Sequence, residues 1–459
     1  MLLANPPITT AAEARESGKV IIFAFANIHA GEVCGKEAFL MLARELAAQP
    51  DHPLFNDLII ALAPIYNADG NERFSPDNRP GQVGPDSMGQ RPNAQGLDLN
   101  RDYIKLESPE AQSMVRFLSE WDPHLVFDSH TTNGSAHRYT VTYAEQTNPS
   151  GFMPSIEFIR DGLLPTVTER LLARTGYAMF FYGNFNHNQT MWATYSHEPR
   201  FGGPYHGLRG QMSILSEAYA YATFKDRVLA TREFLRETLT YAQEKKDDIL
   251  RLHQQAKDDT IAKGRDPQPF DTVGIRYRPA AFNQLTTIKG YEMARDERGH
   301  SRATETPKDY TVIFIGRFEP TLSVRRPFAY LIPPGNDDII AKLHQHGVTT
   351  QPFEGGATVE QYIIESIDKA RRPFQGHLLT SVEARATIIE DHRVPAGSTL
   401  VPLAQPLGNL IIYLLEPMSD DGFVTWELFG ERLEVGQPYP VLRIARPGDL
   451  GIDEANFLR

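Results

Sequence analysis

Short apolar runs alternate with stretches of helical period through the first half of the chain. Val20 to Ala26 is apolar at every position and reads as a buried strand. Residues 35–48 read as a helix, because Phe39, Leu42, Ala43 and Leu46 fall on one face. Residues 58–65 form the next apolar run. Ser108 stands before Pro109 as an N-cap with proline at the first helical position, which predicts a helix to about residue 121 and then a strand over 125–130. A helix is expected over 155–174, interrupted near Pro165, followed by a strand over 177–182 and a loop over 184–203. Another strand-like run covers 212–217, and a charged helical stretch covers 224–257. This alternation predicts an α/β fold with a mixed, mostly parallel sheet flanked by helices.

Composition shifts at residues 258–269, a charged, proline-containing stretch that reads as a linker. Beyond it the chain looks β-rich, with strands expected at 311–315, 328–332, 399–403 and 410–414 and one helix at 337–346. At 459 residues the chain exceeds what one core usually serves. Two domains are therefore expected, one over residues 1–257 and a β-rich accessory domain over 270–459. Tyr330, Trp426 and Phe429 are candidate stacking residues for a polymer such as a glycan, although core packing is the commoner use of such rings.

The net charge of −12 and the scatter of basic residues argue against a nucleic-acid partner. No stretch approaches the twenty apolar residues that span a bilayer. Cys34 is the only cysteine, which excludes an intrachain disulfide, and it reads as a small buried residue. Met1 to Pro7 lacks the charged and apolar regions of a secretory signal, so localisation stays unassigned.

Candidate chemistry lies at the ends of the apolar runs. His29 and Glu32 leave the first strand three residues apart, and His130 ends the 125–130 run. Two imidazoles and a carboxylate suit a zinc ion that keeps a position open for water. Asp128, two residues before His130, shares its face and would orient the imidazole through its other nitrogen. Glu217, at the exit of the 212–217 run, is the candidate general base. Arg91, Asn100 and Arg101 lie in a Gly-containing, loop-like stretch, where planar guanidinium forks grip a carboxylate. Asp98 would fix Arg101 or cap the turn.

On these residues, from about 20 to 245, the chain resembles the zinc carboxypeptidase (carboxypeptidase A-like) family. The family's His-x-x-Glu pair falls on His29 and Glu32, its later histidine on His130, its catalytic glutamate on Glu217 and its Asn-Arg pair on Asn100 and Arg101. Asn67-Ala68-Asp69-Gly70 is similar to the family's Asn-Pro-Asp-Gly turn, with alanine in place of proline. The resemblance implies one Zn2+ per chain. It also implies a peptide-like substrate whose free C-terminal carboxylate is held by Asn100 and Arg101. Arg91, nine residues before Asn100, would polarise the scissile carbonyl. The family's active-site tyrosine corresponds to Tyr195 or Tyr205, of which Tyr195 is favoured. The loop Pro199 to Gly203 would supply the side-chain specificity wall, with no single residue matching. Only 28 residues precede His29, fewer than family chains usually carry, so a longer, exported precursor is compatible with the sequence.

The implied activity is metal-dependent hydrolysis of a C-terminal peptide or related amide bond. Two alternatives are an N-acyl-amino-acid deacylase of the aspartoacylase type and a catalytically silent binding protein on the same scaffold.

Overall fold

The computed structural model describes residues 1–295 and 301–451. Its first half contains β1 (Leu2–Leu3), β2 (Val20–Ala26), β3 (Leu58–Ala63), β4 (Leu125–Thr132), β5 (Val141–Glu145), β6 (Met179–Phe181), β7 (Asn184–Phe185), β8 (Met191–Ala193) and β9 (Met212–Tyr219). Seven of these make one sheet in the order β1-β3-β2-β4-β9-β5-β6. β2 runs parallel to β3 and β4, β4 to β9, and β5 to β6, while β1–β3 and β5–β9 are antiparallel. This is the mixed, mostly parallel sheet that the sequence predicts.

The continuous apolarity of β2 follows from burial on both faces. Val20, Ile22 and Ala24 face one way, into a cluster with Phe39 and Leu42 of helix Cys34–Ala47 and Phe234 and Leu239 of helix Phe224–Glu244. Phe23 and Phe25 face the other way, into a cluster with Val115 and Leu118 of helix Pro109–Trp121. That helix starts where expected, with the Ser108 hydroxyl accepting from the Ala111 N–H, and it stops at Asp122 with φ 47°. The helix expected over 155–174 is interrupted by a π-helical turn, Phe158–Leu163, which ends two residues before Pro165. The stretch expected over 224–257 divides at Lys245 into helices Phe224–Glu244 and Lys246–Arg265, so the composition shift at residue 258 still lies in helix.

The second half adds two sheets. A long antiparallel hairpin, β10 (Thr272–Arg295) and β11 (Ser301–Arg325), continues onto the first half, with Ile313–Ile315 pairing parallel to β8. β12 (Ala329–Ile332), β13 (Gln351–Phe353), β14 (Gly356–Lys369), β15 (Thr380–Arg393), β16 (Ser398–Pro402) and β17 (Pro438–Ile444) form the other sheet, and helix Asp337–Gln345 interrupts it as expected. The run 410–414 is not a strand. It lies in helix Gly408–Leu415, whose Leu410 through Leu415 are all fully buried. A helix enclosed on every side shows no polar face, so its sequence looks like that of a buried strand.

The largest apolar cluster joins the two halves, packing Phe25, Tyr103 and Tyr205 in one network with Tyr330, Leu410 and Trp426. Tyr330, Trp426 and Phe429 are buried in it and present no stacking surface. None of the described helices is long and apolar enough to cross a membrane.

Candidate active site

β2, β4 and β9 are adjacent and parallel, so their carboxyl ends open on one edge of the sheet, where ligands gather in such folds. Each expected metal ligand arises there. β2 ends at Ala26, Asn27 turns the chain with φ 64°, and His29 and Glu32 follow. His130 lies near the end of β4, in register with Glu217 of β9.

His29, Glu32 and His130 are buried and offer donor atoms within 4.8 Å of one another, the one group among the described residues so placed that it could hold a metal ion. The two imidazoles are held alike. His29 Nδ1 lies 3.0 Å from Glu32 Oε1, with its Nε2 3.0 Å from Asp98 Oδ1. His130 Nδ1 lies 3.1 Å from Glu32 Oε2, with its Nε2 2.9 Å from Asp128 Oδ1. Each ring thus turns one nitrogen toward Glu32 and braces the other on an aspartate, which fits a zinc donor set with oriented imidazoles. The Asp128 contact is close without hydrogen-bond alignment, so it acts by charge.

Glu32 also accepts from the Thr131 N–H at 2.9 Å and from Arg79 Nη1 at 2.6 Å. Burial disfavours its charge, but His29 and Arg79 outweigh that and hold the carboxyl well below its ordinary range. Arg79 reaches Glu32 because residue 31 is glycine. A Cβ there would lie 2.6 Å from Arg79 Cδ and 2.9 Å from the Gly89 carbonyl oxygen. Glu217 is treated oppositely. Burial, opposed by His130 and reinforced by the negative charges of Glu32 and Asp128, pushes it up to about 8. Its Oε2 has no hydrogen-bond partner among the described residues.

These groups line a cavity of about 430 Å3, whose wall also includes Arg79, Arg91, Asn100, Arg101, Tyr182 and Tyr195. Arg91 Nη2 lies 2.8 Å from Asp98 Oδ2. Asn100 Oδ1 accepts from the Gly202 N–H at 3.0 Å, and the Arg101 guanidinium sits 4.1 Å over the Phe201 ring. Tyr195 is on the cavity wall, its hydroxyl donating to the Glu145 carbonyl and lying where a Cβ on Gly203 would fall. Tyr205 is buried elsewhere, with its hydroxyl 2.8 Å from His346 Nδ1. Arg209 donates to the His346 carbonyl and the Ser119 hydroxyl, a structural position. Cys34 is buried against Thr131, and its thiol is pushed up by burial.

The zinc carboxypeptidase family model matches residues 6–151. Carboxypeptidase 2 of Trichophyton equinum is 24% identical, over 94% of this chain and 78% of that protein, and carboxypeptidase 2 of Trichophyton rubrum is 23% identical, over 95% and 78%. Among solved structures, a metallo-carboxypeptidase from Pseudomonas aeruginosa aligns with 19% identity and a TM-score of 0.37, covering 50% of this chain and 58% of that one. One from Burkholderia cenocepacia gives 16% identity, a TM-score of 0.36, and 49% and 57% coverage. The aligned part is under two thirds of either solved chain. The matched segment includes His29, Glu32, Arg91, Asn100, Arg101, Asp128 and His130, so it is the part of the chain carrying these residues that is similar to the zinc carboxypeptidase family.

Proposed function

We propose that the chain is a metallocarboxypeptidase that removes a C-terminal residue, or a residue in a related amide linkage, from a peptide-like substrate. One observation carries this reading: a His-Glu-His donor group, a further buried carboxylate and the arginines Arg91 and Arg101 line the same cavity.

His29, Glu32 and His130 would hold the zinc ion, which when bound supplies Lewis acidity. Every other role falls to the chain itself. Glu217 takes a proton from water and returns it to the leaving amine, for which a carboxyl raised toward neutrality is suited. Arg91 directs its guanidinium at the carbonyl oxygen as negative charge grows on it. Asn100 and Arg101 grip the terminal carboxylate and so confine cleavage to the chain end. Tyr195 borders the substrate side of the cavity. Asp98 and Asp128 keep the ligand imidazoles in place.

Metal analysis of the purified protein, with hydrolysis of free-acid peptides assayed with and without a chelator, tests the reading. Stoichiometric zinc with chelator-sensitive release of the last residue supports it. Turnover of N-acyl amino acids without turnover of peptides would move the assignment to a deacylase.

A further inference from the structure

The loop from Tyr195 to Gly203 reaches the cavity, yet its firmest anchors lie in the distant C-terminal half. Arg200 is buried and meets Asp421 three times: its backbone N–H donates to Oδ2 at 2.6 Å, Nε donates to Oδ1 at 3.0 Å, and Nη2 lies 2.9 Å from Oδ1. Asp421 is fully buried and also accepts from Trp426 Nε1 at 2.8 Å, while the Arg200 guanidinium sits 4.9 Å over the Trp426 ring. Three residues earlier, His197 Nε2 lies 2.8 Å from Asp420 Oδ2. The two residues after Arg200 are those that touch the arginine and asparagine of the cavity, with Phe201 under Arg101 and the Gly202 N–H on Asn100 Oδ1.

We propose that Asp421 is a positioning residue for recognition of the substrate's terminal carboxylate, acting through Arg200 on Phe201 and Gly202 and through them on Arg101 and Asn100. This rests on the reading of Asn100 and Arg101 as the carboxylate grip. A charge pair buried this deeply, with a backbone N–H and an indole N–H on the same carboxylate, has a single geometry, and it transmits that geometry two residues along the chain. The C-terminal half thereby sets where the grip sits, although it contributes no group to the reacting bond.

The test compares Asp421→Asn and Arg200→Lys with the unmodified protein, using a tripeptide with a free C-terminus and the same tripeptide as its C-terminal amide. Asp421→Asn keeps the size of the side chain and removes its charge, and Arg200→Lys removes the fork and keeps the charge. The expected result for each is a KM for the free acid raised about tenfold or more with kcat nearly unchanged, and no change for the amide. The dissociation constant of the free acid, measured calorimetrically in a Glu217→Gln background, should weaken in parallel. Equal losses for acid and amide, a fall in kcat alone, or an unchanged KM overturns the proposal. If the unmodified protein itself shows no preference for acid over amide, the reading of Asn100 and Arg101 fails first, and the two failures are distinguishable.

Discussion

Asp98 Oδ1 lies 3.0 Å from His29 Nε2, on the side of the ring away from the Nδ1 that meets Glu32. The same aspartate holds Arg91 through its other oxygen and accepts from the Asn100 N–H. One carboxylate therefore fixes a candidate metal ligand, the candidate oxyanion contact and the turn carrying the candidate carboxylate grip. Asp98→Ala is expected to weaken zinc binding by roughly 10- to 100-fold, the usual cost of losing a carboxylate behind a ligand imidazole. Chelator competition measures it, and unchanged affinity would remove Asp98 from this role.

Glu217→Gln should retain zinc and lose most turnover, on the order of 10²-fold or more. The base works only when ionised, and burial holds the Glu217 carboxyl above its ordinary 4.5, up to about 8. Activity should therefore rise with pH through that interval, with a bound cation drawing the limb back toward acid. A rate independent of pH between 4.5 and 8 contradicts the assignment.

Arg101→Ala should mainly raise KM for substrates with a free carboxylate. Arg101→Lys should recover only part of the loss, since a point charge lacks the planar fork. Steady-state kinetics on acid and amide pairs separates these outcomes.

Gly31→Ala places a methyl group 2.6 Å from Arg79 Cδ and 2.9 Å from a backbone carbonyl that has little room to move. A loss of about 1–3 kcal/mol is expected from such overpacking. Because the clash displaces Arg79 from Glu32, zinc affinity should change as well. Thermal unfolding and metal titration of one variant read both effects.

His137, His206 and His346 are buried, and burial lowers each imidazole to about 3. In the unfolded chain they take protons near pH 6.5, so below that value the unfolded state binds more protons and their contribution to stability is lost as pH falls toward 3. Glu145 and Asp421, raised by burial to about 7 and about 6, act in the opposite sense. The histidine effect is therefore read by difference. The stability gap between the unmodified protein and His206→Gln should shrink as pH falls from about 7 to about 5. A constant gap in urea unfolding would show that His206 carries no such linkage.

His29, Glu32, His130 and Glu217 stand out in the sequence because each lies at the end of an apolar run or a few residues beyond it, and a buried parallel strand writes itself plainly into sequence. The loop holding Arg91, Asn100 and Arg101 was legible for its residue types. Its Asp98 reads in the sequence only as a partner for Arg101 or a cap, since contact with His29, 69 positions away, exists only once the loop folds back. Arg79, on an irregular loop, carries no local signal, and nothing separates Tyr182 from the other aromatic residues of the run 177–182. In the second half only residues 311–315 of the long hairpin stood out, because its strands are largely solvated and broken by register shifts. Asp421 lies in a short Ser-Asp-Asp-Gly stretch, and nothing in those neighbours announces the burial that pairs it with Arg200.

The anchoring of Arg200 by Asp421 also orders events in time. Asp421 leaves the ribosome 421 − 217 = 204 residues after Glu217. At usual elongation speeds that is a wait of roughly 10–40 s. During synthesis His29, Glu32, His130 and Glu217 are therefore all present well before the residue that braces Arg200 has been made.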